Sequence, residues 1–431
     1  MKIAICTLGC KVNQYETQAM EQELRRRGHE LTDFESAADA YIINTCTVTA
    51  VSDKKCRNII RRAKKQTPEA VVAVCGCYAQ TDPEAVAALG VDVVSGSAGR
   101  MAFLDHLEQQ LQQRQAQIVE VDEALRRRHF ERLPAGGQEG RTRAMLKVED
   151  GCVNFCSYCI IPYARGPIRS LPLEEAVEQA RQLASDGYLE IVLTGIEISS
   201  WAHDLRNGQT LTDLVEAVCR AVPELRVRLG SLEPRTITEE FCRRTSVLPN
   251  LCPHFHLSLQ SGCDATLKRM NRKYDTARYY ESVELLRKYF ASPAITTDLI
   301  VGFPQETEEE FEQTLAFIRK CAFSSMHIFP YSRRPGTPAA AMEGQIQKAV
   351  QEERAHRAAA VADEMEQAYL TQLIGSTLPV LFEEEKGGLW QGHAPNYVAV
   401  RAEGQELHNC LRPVRITAVS ENSLKGEILH D

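Results

Sequence analysis

The sequence predicts an α/β protein in three parts: an N-terminal three-layer-like parallel α/β unit, a central partial (β/α)6 barrel, and a small all-β barrel at the C-terminus. Apolar runs at 2–8, 40–44 and 70–75 alternate with helical stretches, the mark of a parallel sheet covered on both faces. Six more apolar runs, at 143–148, 189–193, 225–229, 254–259, 294–301 and 325–329, are mostly followed by helical patterning. Residues 374–430 hold only short strand-like runs between Gly and Asn turns. A chain of 431 residues, at roughly 150 per domain, suits about three such units.

Local signals place the elements. Ile3 to Cys10 faintly imitates the end of a lipoprotein signal, but it lacks a charged n-region and a full apolar stretch, so it is read as a buried strand. In the first helix Met20 and Leu24 are four apart, Arg25, Arg26 and Arg27 fill the last turn, and Gly28 stops it. A second helix near 52–65 stacks Cys56 over Ile59 and Ile60 and ends before Pro68. The segment 107–117 is Gln-rich, and 126–143 combines Arg126, Arg127, Arg128 and Arg132 with Gly136, Gly137 and Gly140, a linker composition. The arginines serve either a solvated connector or a contact with phosphates. In the central part, a helix at 172–186 stops at Gly187, and Thr307 with Glu310 forms a capping box. A long helix at 346–373 leads to the strand-like runs Leu378–Phe382, Tyr397–Val400 and Val414–Val419.

The charge balance, 50 Lys+Arg against 58 Asp+Glu, gives a net of -8 and excludes a globally basic nucleic-acid coat. Any polyanion site is therefore a local patch. No window of eighteen apolar residues occurs, so neither a spanning helix nor a membrane partner is expected and a cytoplasmic location is. In a reducing compartment, fifteen cysteines point to metal binding or chemistry rather than to disulfides.

Cys152, Cys156 and Cys159 form C-x3-C-x2-C directly after the first barrel strand. Three thiolates hold three irons of a cubane and leave the fourth open to a small ligand. Zinc would call for a fourth Cys or a His at short spacing, and the nearest following His is His203. Cys10, Cys46 and Cys77 follow the three N-terminal strand runs, so all three project from one edge of a parallel sheet, where α/β ligands bind. They are read as a second metal triad. Cys75 stands two residues before Cys77, on the same strand face by period two. Cys6, Cys219, Cys242, Cys252, Cys263, Cys321 and Cys410 are read as structural.

The cysteine motif, with Tyr158 before its last thiol, resembles the radical S-adenosylmethionine superfamily. Thr7 to Thr17 (TLGCKVNQYET), Asn44 to Val48, Gly76 to Gln80, Ser258 to Gly262 and Phe329 to Ser332 narrow the resemblance to the methylthiotransferases, and within them to the MtaB branch. The likeness spans nearly the whole chain. It implies a methylthiotransferase N-terminal domain at 1–112, a linker at 113–137, a radical S-adenosylmethionine barrel at 138–370 and a TRAM-like RNA-binding barrel at 371–431. It also implies two 4Fe-4S clusters, S-adenosylmethionine, and conversion of N6-threonylcarbamoyladenosine beside the tRNA anticodon into its 2-methylthio form. The partners implied are the tRNA anticodon stem-loop and an electron donor such as flavodoxin.

The Cys152, Cys156 and Cys159 triad is expected to carry catalysis. Cofactor contacts are expected from Tyr158, Thr194, Gly195, Glu197, Ser231, Glu233, Gln260, Arg272 and Val301, most of them at the C-terminal ends of barrel strands. Glu197 either pairs the methionine ammonium or faces solvent, and Arg272 either pairs the cofactor carboxylate or is an exposed helix-end cation. His256 is read as a core histidine, and Asp298 as a weak candidate. Rival readings keep the chemistry on isopentenyl-adenosine tRNA or a ribosomal-protein aspartate, or make the chain a non-catalytic zinc and RNA-binding protein.

Overall fold

The computed structural model describes residues 1–136 and 142–429. Gly137 and Gly140 lie outside the described residues. The N-terminal sheet has six parallel strands in the order β2-β1-β3-β4-β5-β6: β1 (Lys2–Thr7), β2 (Glu30–Thr32), β3 (Ala40–Thr45), β4 (Val71–Gly76), β5 (Val93–Ser95) and β6 (Ile118–Glu120). The central strands β3 and β4 are buried throughout. Helix α1 (Lys11–Arg26) covers one face through Met20 and Leu24, while Cys56, Ile60 and Ala63 of α2 (Ala50–Gln66) cover the other. Three strands escaped the sequence reading because each has only three residues, and β6 falls inside the expected linker.

All six apolar runs of the central part are strands, parallel and in chain order: Arg143–Lys147, Glu190–Thr194, Arg226–Leu229, His254–Leu257, Ala294–Val301 and Ser325–Pro330. The third strand resumes after Gly230 as Ser231–Leu232, which pairs with the fourth and joins the two halves. The first and sixth strands are edges, so the barrel is partial. Leu146, Leu193, Leu229, Leu257 and Leu299 face the surrounding helices and build the largest core. The adjacent residues Lys147, Thr194, Arg228, His256 and Asp298 alternate to the opposite face. Helix Leu173–Ser185 ends before Gly187 at φ 84°, and Thr307 and Glu310 form the capping box. Helix Lys348–Gln372 packs along the sixth strand and hands the chain to a closed five-stranded barrel.

Buried ion pairs join the parts. Glu16 on α1 is fully buried and meets Arg100 (2.6 Å), Lys147 (3.2 Å) and Arg165. Lys147 and Arg169 also reach Asp150, at 2.7 and 3.3 Å. From the far side of the barrel, Arg334 bonds Asp53 and Thr47, and Tyr15 donates to the Leu133 carbonyl (2.6 Å). The terminal barrel is seated by Arg228 on the Pro395 carbonyl (2.7 Å), by Arg143 on Glu383 (2.9 Å), and by the Tyr397 ring, which both arginines flank. Of the arginine run, Arg127 is buried on Asp122 and Gln80, whereas Arg126 and Arg132 are exposed and pair with Glu123 and Glu175. No helix among the described residues is long and apolar enough to cross a membrane.

Burial alone would raise the Glu16 pKa, but Arg100, Arg165 and Lys147 overcome it and hold the carboxyl well below the usual range. The same balance brings Asp150 and Glu190 to about 2. Groups depressed in the fold stabilise it above their unfolded pKa and release that stability as pH falls towards the folded value. Burial raises Glu149, whose stabilising effect runs the opposite way and fades as pH climbs above 4.5. Glu16→Gln would leave buried Arg100 without its carboxylate and Lys147 and Arg165 with Asp150 alone, costing about 3–5 kcal/mol at pH 7. Urea midpoints should show that loss, and the gap to the parent should narrow as pH drops below 4.5.

Candidate active site

Three loops at the C-terminal edge of the N-terminal sheet carry Cys10, Cys46 and Cys77, and two glycines let them converge. A Cβ on Gly9 (φ 109°) would lie 2.7 Å from Cys46 Cβ and 2.9 Å from its Sγ. A Cβ on Gly76 (φ 100°) would lie 2.5 Å from the Thr45 carbonyl. Asn13 ties the loops together: its Nδ2 donates to the Leu8 and Thr45 carbonyls at 2.7 and 2.9 Å, and Cys10 Sγ lies 3.8 Å from its Oδ1. That oxygen also accepts from Arg165 (2.7 Å), whose Nε donates to Cys77 Sγ at 3.2 Å. Cys46 and Cys77 are buried, whereas Cys10 is exposed.

The strand-period reading of Cys75 and Cys77 is corrected here. The chain leaves β4 at Gly76, and Cys77 opens a short helix, α3 (Cys77–Thr81). Cys75 points instead into the apolar layer with Ile42, Ala73 and Phe103. The left-handed φ of Gly76 breaks the alternation.

Cys152, Cys156 and Cys159 sit on a loop between Glu149–Asp150 and helix Ile161–Arg165. Ser157 N–H donates to the Met270 carbonyl (3.0 Å), its hydroxyl to that of Arg269 (2.8 Å), and Asn271 to that of Phe155 (2.8 Å). The same 269–272 turn brings Arg272 Nη1 to 3.2 Å from Cys156 Sγ. Arg272 also covers the Tyr274 ring, so it is no free helix-end cation.

One cavity of about 430 Å³ joins the two regions. Its wall includes Cys10, the three barrel cysteines, Tyr158, Thr194, Gly195, Glu197, Ser231, Glu233, Ser258 and Arg272. Cys46 and Cys77 lie behind Cys10, off the lining. Two other expected contacts are also absent from the lining: Gln260 bridges Leu299 in the sheet at φ 70°, and Val301 is buried in the strand. A larger hollow of about 740 Å³ next door shares Asn154, Glu197 and Glu233 but contains no cysteine. Glu197 accepts from Ser199 N–H (3.1 Å) and Ser200 Oγ (2.5 Å), so its carboxylate is oriented before any ligand arrives. Lower in the lumen His256 bridges Thr296 (3.0 Å) and Asp298 (3.3 Å).

A "Radical SAM superfamily" model matches residues 146–318, and one described as "Uncharacterized protein family UPF0004" matches residues 2–96. The "Threonylcarbamoyladenosine tRNA methylthiotransferase MtaB" of Bacillus subtilis is 43% identical over 410 residues, covering 94% of this chain and 91% of the relative. Its namesake from Thermotoga maritima is 36% identical, covering 98% of this chain and 96% of its own. The chain belongs to the radical S-adenosylmethionine methylthiotransferases. A "tRNA-2-methylthio-N(6)-dimethylallyladenosine synthase" from Bartonella henselae, 32% identical over 99% of this chain and 96% of its own, is a sister within this family. The Kitasatospora setae radical S-adenosylmethionine methyltransferase TsrM shares the fold, with a TM-score of 0.58 at 16% identity over 90% of this chain and 80% of that one.

The family's cofactors are two 4Fe-4S clusters and S-adenosylmethionine. The donor chemistry of both triads fits a cluster. Burial pushes the Cys77, Cys152 and Cys159 thiols up to about 12, so iron must displace their protons. A cation already donates to one sulfur in each triad, Arg165 to Cys77 and Arg272 to Cys156, which suits a thiolate. Among the described residues no three His, Cys, Asp or Glu side chains meet as a single ion requires, whereas a cubane takes its thiolates at separate corners.

Three residues of the site were given no role from the sequence, Lys11 entering only as part of the family motif. Arg165 finds Cys77 and Glu16 across 88 and 149 positions. Glu149 is buried with Oε1 unpartnered and Oε2 accepting from Glu197 N–H (2.7 Å); burial raises its pKa well above 4.5. Lys11 lines the cavity beside Cys10, and burial followed by repulsion from Arg228 and Arg143 lowers its pKa. Gly76→Ala should cost more than about 2 kcal/mol, through backbone strain and overlap with Thr45. Gly28→Ala, at φ 84° with nothing within 4 Å, should cost about 1 kcal/mol. Denaturant titration of both variants checks the contrast.

Proposed function

We propose that this chain converts N6-threonylcarbamoyladenosine next to the anticodon of tRNA into its 2-methylthio derivative. The observation that carries the reading is the single cavity in which Cys10 of the first triad faces Cys152, Cys156 and Cys159 of the second. Two relatives named for this reaction, at 43% and 36% identity, support the substrate over the dimethylallyl form named for the relative at 32%.

In this proposal Cys152, Cys156 and Cys159 hold one cluster, and Cys10, Cys46 and Cys77 the other. When bound, the clusters and S-adenosylmethionine supply the electron, the open iron site and the radical that an inert C2–H bond demands. The protein's own part is placement. Arg272, fixed by Tyr274 and the Ser258 carbonyl, keeps a donor on Cys156 Sγ and a positive charge on the cavity wall. Glu197 and Glu233 offer carboxylates to an ammonium group, and Ser231 and Ser258 stand beside them at strand ends. Tyr158 packs edge-on against Phe303, closing the cavity's apolar side. Arg165 fixes Cys77 through the buried Glu16 and so sets the distance between the triads. Exposed Arg412, Arg415 and Lys425 on the terminal barrel are suited to RNA phosphates, and the electron donor is a small redox protein such as flavodoxin.

Anaerobically reconstituted protein should hold about eight irons with equal sulfide. Replacing Cys152, Cys156 and Cys159 together by Ala should leave about four irons and no product. Replacing Cys10, Cys46 and Cys77 together should likewise leave about four and end methylthiolation. Mass spectrometry of nucleosides from treated tRNA reads the outcome, and zinc without sulfide, or product formed only on isopentenyl-adenosine, would overturn the reading.

A further inference from the structure

A second cavity, of about 510 Å³, lies beyond Lys11 and is built from all three parts of the chain. Lys11 and Gln14 come from α1, Arg143, Val192 and Arg228 from the barrel lumen, and Glu383 and Tyr397 from the terminal barrel. Lys11 is the residue on the walls of both cavities, and it directly follows Cys10.

The charges around this cavity do not balance. Glu190 is shared by two guanidiniums, Arg228 at 2.7 and 3.0 Å and Arg226 at 2.6 Å. Glu383 is held by Arg143 (2.9 Å) and also lies 2.8 Å from His393 Nδ1. The remaining acid on the lining, Glu384, is exposed. Lys11 has no hydrogen bond or ion pair among the described residues, although it is half-buried. An unpartnered, half-buried lysine on a cavity wall with Arg143 and Arg228 is suited to an anion.

We infer that Lys11, supported by Arg143 and Arg228, binds the carboxylate of the threonylcarbamoyl group and is the residue by which this enzyme selects its substrate. The inference rests on the proposed function and adds its specificity determinant. Of the two tRNA substrates named for relatives, one carries a carboxylate on N6 and the other a purely hydrocarbon dimethylallyl tail. Placed against Lys11, the hydrocarbon leaves the cation without a counter-charge, whereas the carboxylate pairs it, so one residue both attracts the correct nucleoside and rejects the wrong one. Because Lys11 adjoins Cys10, a carboxylate held there anchors the base beside the N-terminal triad.

The test uses the anaerobically reconstituted full chain and two synthetic anticodon stem-loop RNAs. One carries N6-threonylcarbamoyladenosine, and the other its threonine amide, which differs only in lacking the negative charge. The parent should bind the acid form at least about tenfold tighter than the amide by fluorescence anisotropy. Lys11→Met should abolish that preference with the amide's affinity unchanged, and Lys11→Arg should restore it. Iron and sulfide content, measured on each variant, shows whether the neighbouring triad is intact. Equal binding of the two RNAs by the parent overturns carboxylate recognition outright. A preference that survives in Lys11→Met at full iron content overturns the assignment to Lys11. Should Lys11→Met lose iron, Arg143→Gln carries the comparison, and an undiminished preference there counts against the site. Methylthiolation of the acid RNA by the parent, read in the same preparation, keeps the two readings apart: product without acid preference removes only this inference, and no product removes the proposed function.

Discussion

Glu16 is the point on which the arrangement of the molecule turns. It is a single carboxylate, wholly withdrawn from water, with Arg100 from its own α/β unit and Lys147 and Arg165 from the barrel around it. Such a group has one acceptable environment, because removing any partner leaves uncompensated charge in a medium that solvates it poorly. Buried ion pairs add little net stability over a well-packed apolar core, but they penalise misalignment steeply. Here alignment matters. Arg165 reaches from the helix after Cys159 to Cys77 and Asn13, so the docking that satisfies Glu16 also fixes one triad relative to the other.

The two triads share a design that their sequence spacing hides. In one, three cysteines lie within eight positions; in the other, they span 68 and rely on a parallel sheet to bring three loops to one edge. Both bury most of their sulfur, which opposes ionisation, and both set an arginine against one thiol. The arginine lowers the cost of the thiolate without competing for iron, because a guanidinium has no lone pair to donate. Sites of this kind are therefore poor thiolates when empty and good ones when filled, a coupling of ligand deprotonation to metal binding.

Periodicity revealed what periodicity controls. The six barrel strands, the Gly28 and Gly187 stops, the Thr307 capping box and the closed terminal barrel all follow from residues within a few positions of each other. The strands Glu30–Thr32, Val93–Ser95 and Ile118–Glu120 are too short to show alternation, and they exist because neighbouring strands offer free backbone groups. The same limit explains Cys75 and Cys77, whose faces were assigned from period two until Gly76 interrupts the strand. Gln260 and Val301 stand near strand ends, yet being near the barrel's reactive end does not put a side chain on the cavity wall. Arg165 and Glu149 became visible only through partners distant in the chain, which no local pattern encodes, and Lys11, part of the family motif, only through the two cavities it lines.

The arginines at the beginning of the barrel strands join the last two elements of the fold. Arg143, Arg226 and Arg228 sit at the start of the first and third strands, away from the cysteine loops, and they do two things at once. Their guanidiniums grip the terminal barrel through the Pro379 and Pro395 carbonyls, Glu383 and the face of Tyr397, and two of them, Arg143 and Arg228, also line the second cavity with Lys11. Five donors on each planar group make that double use possible, because a guanidinium bonded on one edge still presents charge on another. The terminal barrel is thus held by the very cations that surround the second cavity. A shift of that barrel would move Glu383 and Tyr397 and change the charge balance at Lys11, so the seating of the terminal barrel and the charge of the second cavity depend on one set of residues.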